Sequence, residues 1–527
     1  MRAFAALLDR LTLTPARNAK LRLLRDYIAG TPDPDRGWAL AALTGALDLP
    51  GVKPAMLRGL VEERVDPALF RLSYDYVGDL AETISLIWPA DPAGEEAPPS
   101  LSEVVDRLAA AGRADAPALM AELLDRLAPP ERYALIKLTT GGLRVGAGAR
   151  LARQGLANFG DRDLAEIEEL WHGLRPPYAD LFAWLEGRAA RPERAAAAPF
   201  RPVMLAHPLE EADLGKIDPT SYAAEWKWDG IRVQAVSEGG VRRLYSRTGD
   251  DISRSFPDLM EALDFEGAVD GELLVIRSGR VAPFADLQQR LNRKTVSRRL
   301  LETHPAALRA YDLLVEGSVD LRGQPFTVRR ARLEVLLGGC NPARIDVSPL
   351  LALAGQDEWA AARAAPPDPA IEGLMLKRVD SPYLAGRPKG PWFKWKRAPF
   401  TVDAVLMYAQ RGHGKRSGYY SDYTFGVWSA AGLVPVGKAY FGFTDDELRQ
   451  IDKFVRDNTI ERFGPVRAVR ADADCGLVLE IAFEGLNRSS RHKSGLAMRF
   501  PRISRLRWDK PPAEADQLSA LKALLAG

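Results

Sequence analysis

The chain has 527 residues, with 72 Lys+Arg against 70 Asp+Glu, 46% hydrophobic and 27% charged. This is the composition of an ordinary globular protein and excludes wholesale disorder; the length has room for about three domains of roughly 150 residues. No apolar run approaches the roughly 20 residues of a membrane-spanning helix, and Asp9 and Arg10 break the apolar N-terminus, which suits no signal peptide, so a cytoplasmic protein with no membrane partner is expected.

Residues 1–190 carry apolar residues at three- and four-residue spacing in FAALLDRL, NAKLRLLRDYI, LSEVVDRLAAA, APALMAELLDRL and DLAEIEELWHGL, which predicts an all-α domain. One stretch, Thr139 to Gly148, breaks the pattern with four glycines around Arg144. Glycine lets backbone approach a phosphate closely and arginine supplies charge, although a plain helix-to-helix turn has the same composition. An Ala/Arg/Pro-rich linker is predicted over 191–202. From 203 to 398, runs with β character (YAAEWKW, IRVQAV, VRRLYSR, AVDGELLVI, LRAYDLLV, GLMLKRV) alternate with helical stretches, as in an α+β core. From 399 to 512, TVDAVLMYA, YTFGVWSA, VPVGKAYFG and LVLEIAFEG predict a small all-β module of the size that often binds nucleic acid. Residues 513–527 form a tail. The two cysteines, Cys340 and Cys475, are too few and too far apart for a disulfide framework or a Cys-rich zinc site.

The most informative segment is Glu225-Trp226-Lys227-Trp228-Asp229-Gly230-Ile231-Arg232. A lysine between tryptophans is expected to be partly desolvated, which lowers its pKa and exposes a neutral, nucleophilic amine. Asp229, two residues on, is placed to orient the amine or a metal.

K-W-D-G-I-R closely resembles the nucleotidyl-lysine motif of the covalent nucleotidyltransferases: ATP-dependent DNA ligases, RNA ligases and messenger-RNA capping enzymes. Further strings follow in the family's order. They are Ser246-Arg247-Thr248-Gly249, Asp270-Gly271-Glu272-Leu273, Tyr311-Asp312-Leu313, Glu372-Gly373-Leu374-Met375-Leu376-Lys377 and Trp392-Phe393-Lys394-Trp395-Lys396. Last come Arg499-Phe500-Pro501-Arg502 and Arg507-Trp508-Asp509-Lys510. Trp228 and Tyr311 stand where many relatives have tyrosine and phenylalanine; both keep an aromatic face. By itself a string such as DGELL or YDLL is usually plain core strand; it is their joint order around Lys227 that carries the resemblance.

The resemblance implies that Lys227 takes AMP from ATP, with Mg2+ or Mn2+ held by Glu372, Glu272 or Asp229; Glu272 is equally a ribose ligand. Lys377, Lys394 and Lys396, with Arg387, would face the phosphates, and Arg232 and Arg247 the ribose and phosphate region. Tyr311 and Met375 would sandwich adenine, and Glu225 would read its edge, in part through its backbone. Arg499, Arg502, Asp509 and Lys510 would belong to a mobile lid on an OB-fold barrel, and Arg144 and Gly146 to a DNA-contacting segment of the helical domain. Residues 386–416 and 487–510 each hold eight Lys+Arg against one acidic residue, a net +7 suited to several phosphates. The implied protein is an ATP-dependent DNA ligase, a monomer on nicked duplex DNA. The helical domain weighs against an RNA ligase or capping enzyme, and the complete set of motif residues against a non-catalytic DNA-binding scaffold.

Overall fold

The computed structural model describes every residue except 48, 50, 90–96, 193–196, 292, 294, 413–417, 491 and 526–527. The centre of the predicted linker and the HGKRS tract of the first basic cluster therefore lie outside the described residues.

The chain divides into two compact units: Met1–Arg162, Arg175–Arg191 and Pro399–Gly527 in one, Asp163–Leu174 and Pro192–Ala398 in the other. In the first, short helices run from Arg2–Leu13 to Ala149–Gly160. Asp66, Asp79 and Ser100 start helices by accepting amide hydrogen bonds from residues two or three further on, which satisfies donors a helix end leaves orphaned. The predicted helices from FAALLDRL to APALMAELLDRL form here, where residues such as Phe4, Leu8, Leu57, Leu123 and Leu156 are buried.

The second unit holds β1 (His207–Pro208), β2 (Tyr222–Trp228), β3 (Ile231–Glu238), β4 (Val241–Ser246), β5 (Gly267–Arg277), β6 (Arg280–Val281), β7 (Ala306–Glu316), β8 (Val319–Asp320), β9 (Ile345–Val347), β10 (Leu350–Leu351), β11 (Ile371–Arg378) and β12 (Trp392–Lys396). One sheet has the order β1-β12-β11-β2-β10; the other has β4-β3-β5-β7-β8, with β6 beside β5 and β9 beside β7. Alternation explains their faces. Val233, Ala235, Val269, Leu273 and Leu308 bury one face of the second sheet, and Ala224, Leu374, Leu376 and Trp395 bury one face of the first against Trp359. Asp163–Leu174, read from sequence as part of the helical block, joins this unit: Glu169 accepts from Arg322 at 2.9 Å, and the His172 ring lies against Phe200 and Tyr245.

Back in the first unit, the C-terminal region contributes β13 (Phe400–Arg411), β14 (Tyr420–Ser429), β15 (Gly432–Ala439), β16 (Thr459–Phe463), β17 (Val466–Val469), β18 (Val478–Phe483), β19 (Gly485–Arg488), β20 (Leu496–Arg499) and β21 (Arg502–Arg507). The twelve-residue β13 serves three neighbours: β14 along one edge from Val405 onward, and on the other β18 with its first half and β17 with its second. The helix Asp445–Asp457 is fixed by a capping box between Thr444 and Glu447. The architecture is thus multidomain, with a helical N-terminus and sheet-rich middle and C-terminal regions.

Candidate active site

Strand register builds the site. On the first sheet Lys227 lies opposite Gly373 and Gly373 opposite Lys396; Glu225 lies opposite Met375 and Met375 opposite Lys394; Ala223 lies opposite Lys377 and Lys377 opposite Trp392. Directly opposed residues share a face, so six polar or aromatic motif residues and Met375 project to one side, away from the Trp359 core. On the second sheet Arg232, Glu272 and Arg309 form one cross-strand row and Gln234, Asp270 and Asp312 the next. A bulge at Tyr311 separates Ala310 from Asp312 in that register. Tyr311 and Met375, one from each sheet, pack on the same cluster with Met204, Leu314, Tyr383 and Trp392.

Gly373 occupies the middle of the first row because its φ is +146° and a Cβ there would lie 2.2 Å from the Trp395 carbonyl oxygen. With no side chain between the two lysines, Glu372, displaced by the bulge beside it, bridges them. Its Oε2 accepts from Lys227 Nζ at 2.5 Å and stands 3.5 Å from Lys396 Nζ.

The expected depression of the Lys227 pKa is corrected by this geometry. Burial does pull the ammonium down, but Glu372, Glu272 and Asp229 together outweigh it, and the net shift is upward. Trp226 and Trp228 sit on alternate positions of β2 and so project to the opposite face; Trp226 packs in the Trp359 core and Arg309 covers the Trp228 ring at 4.4 Å. The residues that face the amine are acids.

Glu272 is pushed up to about 8, first by burial and then by Glu372 and Asp270, against the opposing pull of Lys227 and Arg232. The folded protein therefore holds a proton that an unfolded chain releases near 4.5. Because the folded-state pKa is the higher, the associated stability is full below about 4.5 and is lost as pH rises through about 8. Glu272→Gln is expected to match wild type in thermal stability near pH 4.5 and to exceed it above pH 8 by roughly 2–4 °C for each kcal/mol relieved. Thermal unfolding of the ligand-free proteins across that range checks it; equal curves at pH 8.5 would remove the cost assigned to this carboxylate.

Lys394 carries the opposite signature. Its pKa is lowered, first by burial and then by Arg387, Lys227, Lys396 and Arg247. A half-buried cation surrounded by four others suits an anion of high charge, such as a polyphosphate.

The remaining predicted residues fall into distinct settings. Lys377 is 1% exposed and donates to Glu225 Oε1 at 2.8 Å and to the Tyr311 carbonyl at 3.0 Å. The Lys377 ammonium, expected at the phosphates, and the Glu225 carboxylate pair with one another beneath the Tyr311 and Trp392 rings. Arg232 is likewise tied, through two bonds to Asp270 at 3.1 and 2.6 Å and one to the Tyr383 hydroxyl. Arg247 is exposed at the turn after β4, which Asp250 and Thr248 brace. In the first unit, Lys20 Nζ donates to the Gly146 carbonyl at 2.8 Å, and a Cβ on Gly146 would meet that nitrogen at 2.2 Å; Arg144 is exposed. At the last motif Arg502 pairs with Glu484, Asp509 with Arg507 and Lys510 with Asp403, while Arg499 lies 5.9 Å from the Phe500 ring centre.

Sequence reasoning passed over Asp270, Asp312, Tyr383 and Arg329. Asp312 and Arg329 form a wholly buried two-bond pair, and the Tyr383 hydroxyl donates to Asp270 at 2.7 Å. Asp270 and Asp312 lay within quoted motifs, and only burial separates their work from that of Glu272. Tyr383 has no local signal at all.

An amine among carboxylates, a bank of lysines and arginines, and aromatic and thioether faces nearby define a site for a flat base carrying a polyphosphate. Family models match three segments: DNA ligase N terminus over residues 1–157, ATP dependent DNA ligase domain over 203–396 and ATP dependent DNA ligase C terminal region over 416–510. A probable DNA ligase of Anaeromyxobacter dehalogenans is 31% identical across 98% of this chain and 97% of its own length. A probable DNA ligase of Opitutus terrae is 33% identical across 99% of this chain, which spans 62% of that relative's length. A solved structure described as Pmar-Lig_Pre superimposes with a TM-score of 0.61, covering 96% of this chain and 99% of that one at 16% identity, a likeness of fold. The chain belongs to the ATP-dependent DNA ligase family.

Proposed function

We propose that this protein seals nicks in duplex DNA with ATP, through a lysyl-AMP intermediate on Lys227. The observation that carries the reading is the Lys227–Glu372 pair at 2.5 Å beside the crowded cations around Lys394. After losing a proton, the Lys227 amine attacks the α-phosphorus of ATP; an N–P bond forms, the bond to the bridging oxygen breaks, and pyrophosphate leaves. A 5′-phosphate at the nick then takes AMP from the lysine, and the neighbouring 3′-hydroxyl attacks that phosphate and releases AMP.

Tyr311 and Met375 would hold adenine, and Lys394, Lys396, Arg387 and Arg247 the phosphates. Glu225 and Lys377 support the Tyr311 backbone, and Asp270 fixes Arg232 at the ribose side. Among the described residues no group of three or more His, Cys, Asp and Glu is arranged to hold a metal ion. Glu372 and Asp229, both acting on the Lys227 charge, fit Mg2+ or Mn2+ in the manner of magnesium sites that use one or two carboxylates and complete their shell with substrate phosphates and water. Such an ion supplies positive charge to the phosphate oxygens. We read residues 1–190, apart from Asp163–Leu174, as a DNA-gripping helical domain, 203–398 as the adenylation domain and 399–512 as an OB-fold barrel. The bond from Ile503 N–H to the Phe441 carbonyl at 3.1 Å supports the barrel, because it links β21 to the chain just past β15. The two +7 clusters support the DNA partner. Sealing of a defined nick with ATP and with NAD supplied separately tests the proposal: ligated product with ATP alone is expected, and product with NAD alone would overturn it.

A further inference from the structure

A third basic tract, outside both +7 clusters, forms a cavity on the catalytic unit. It has a volume of about 320 Å³ and is lined by Arg293, Ser297, Arg299, Thr303 and His304 among others, with no acidic residue in its wall. Neither the Arg293 nor the Arg299 guanidinium has a carboxylate partner among the described residues; Arg293 uses its Nε on the Gln289 carbonyl at 2.6 Å. The nearby acid, Glu302, is engaged by Arg298 at 2.9 Å, and Arg290 is internal, bound to Asp258 and to the His304 carbonyl. The helix Arg298–Thr303 is therefore anchored from within while two cations face a shallow polar hollow.

The position of the hollow matters as much as its charge. Ile231, just past the Asp229–Gly230 turn that follows Lys227, pairs with Leu273 on β5. Further along the same strand Ile276 N–H bonds the Pro305 carbonyl and Arg277 bonds the Thr303 carbonyl. The cavity thus lies at the C-terminal end of β5, about 10 Å along the strand from Leu273, the partner of Ile231, at roughly 3.4 Å per strand residue. That span equals about three base-pair steps of duplex.

We infer that this cavity is a backbone-phosphate subsite for duplex DNA flanking the nick, with Arg293 and Arg299 as its phosphate ligands. The inference rests on the nick-sealing reading and extends it. Arg299 and Arg293 neutralise phosphate oxygens, and Ser297 supplies a neutral hydroxyl at the same wall.

The test is the double variant Arg293→Ala/Arg299→Ala, measured beside wild type in the full chain. Self-adenylylation from α-labelled ATP is expected within twofold of wild type, which also reports that the unit has folded. The KM for a nicked duplex is expected to rise about tenfold at 0.15 M salt, and the log–log salt slope of nick binding to fall by roughly one to two. Trimming one flank to two base pairs should erase the difference between the proteins. Unchanged nick KM and salt slope would overturn the subsite, as would a loss that persists on the trimmed duplex. Wild-type protein that labels itself yet seals no nick would instead overturn the ligase reading.

Discussion

Substitution of Lys227 by alanine or arginine is expected to abolish covalent labelling of the protein by α-labelled ATP. Alanine removes the nucleophile. Arginine keeps the positive charge beside Glu372, Glu272 and Asp229, but a guanidinium does not deprotonate in a protein and so has no lone pair to attack phosphorus. Folding is expected to survive the arginine change, since the carboxylates remain paired, so loss of label together with an unchanged melting temperature separates chemistry from stability. If either variant still acquires label, Lys227 is not the acceptor.

The second large effect is expected at Glu372. Glu372→Gln should lower kcat/KM for self-adenylylation by on the order of 10²- to 10³-fold at pH 8, the usual cost of removing one electrostatic group at a reacting centre. It should also change the pH profile. The free enzyme keeps Lys227 protonated because neighbouring carboxylates raise its pKa, Glu372 most of all, so the wild-type rate rises with pH while the amine is released. Removing the Glu372 charge takes away the largest raising influence, and the rising limb should move to lower pH. A variant profile that coincides with wild type after scaling would mean that Glu372 does not set the charge of the lysine.

The pH argument differs from the one the sequence suggests. Two flanking tryptophans imply a lysine with a lowered pKa, yet on a strand residues i±1 face away from residue i. The side chains that meet Lys227 come from β5, β11 and the turn at Asp229, up to 145 residues distant in the chain. Local composition therefore misjudged the direction of the shift even where it found the right residue. Lys377 and Glu225 make the same point: each has the type expected of a ligand-binding residue, but their register on adjacent strands, with Glu225 one row from Lys377, lets them close a buried ion pair. A half-formed pair of this kind is costly, so both members are held in place.

Much was nevertheless determined by the sequence itself. Apolar periodicity located the helices of the first block and the strands of the second and third regions, because a 3.6 or 2.0 period decides which side chains can be buried together whatever the neighbours. Motif order marked Lys227, Glu272, Tyr311, Glu372 and Lys394 as one site. The tertiary structure alone decided how charge is divided among them, that Asp163–Leu174 travels with the catalytic unit, that Asp270 and Tyr383 brace Arg232, and that a basic hollow lies at the C-terminal end of β5. These are properties of strand register and burial, in which the energy of a charge depends on groups brought within a few ångströms by folding, and no window along the chain contains them.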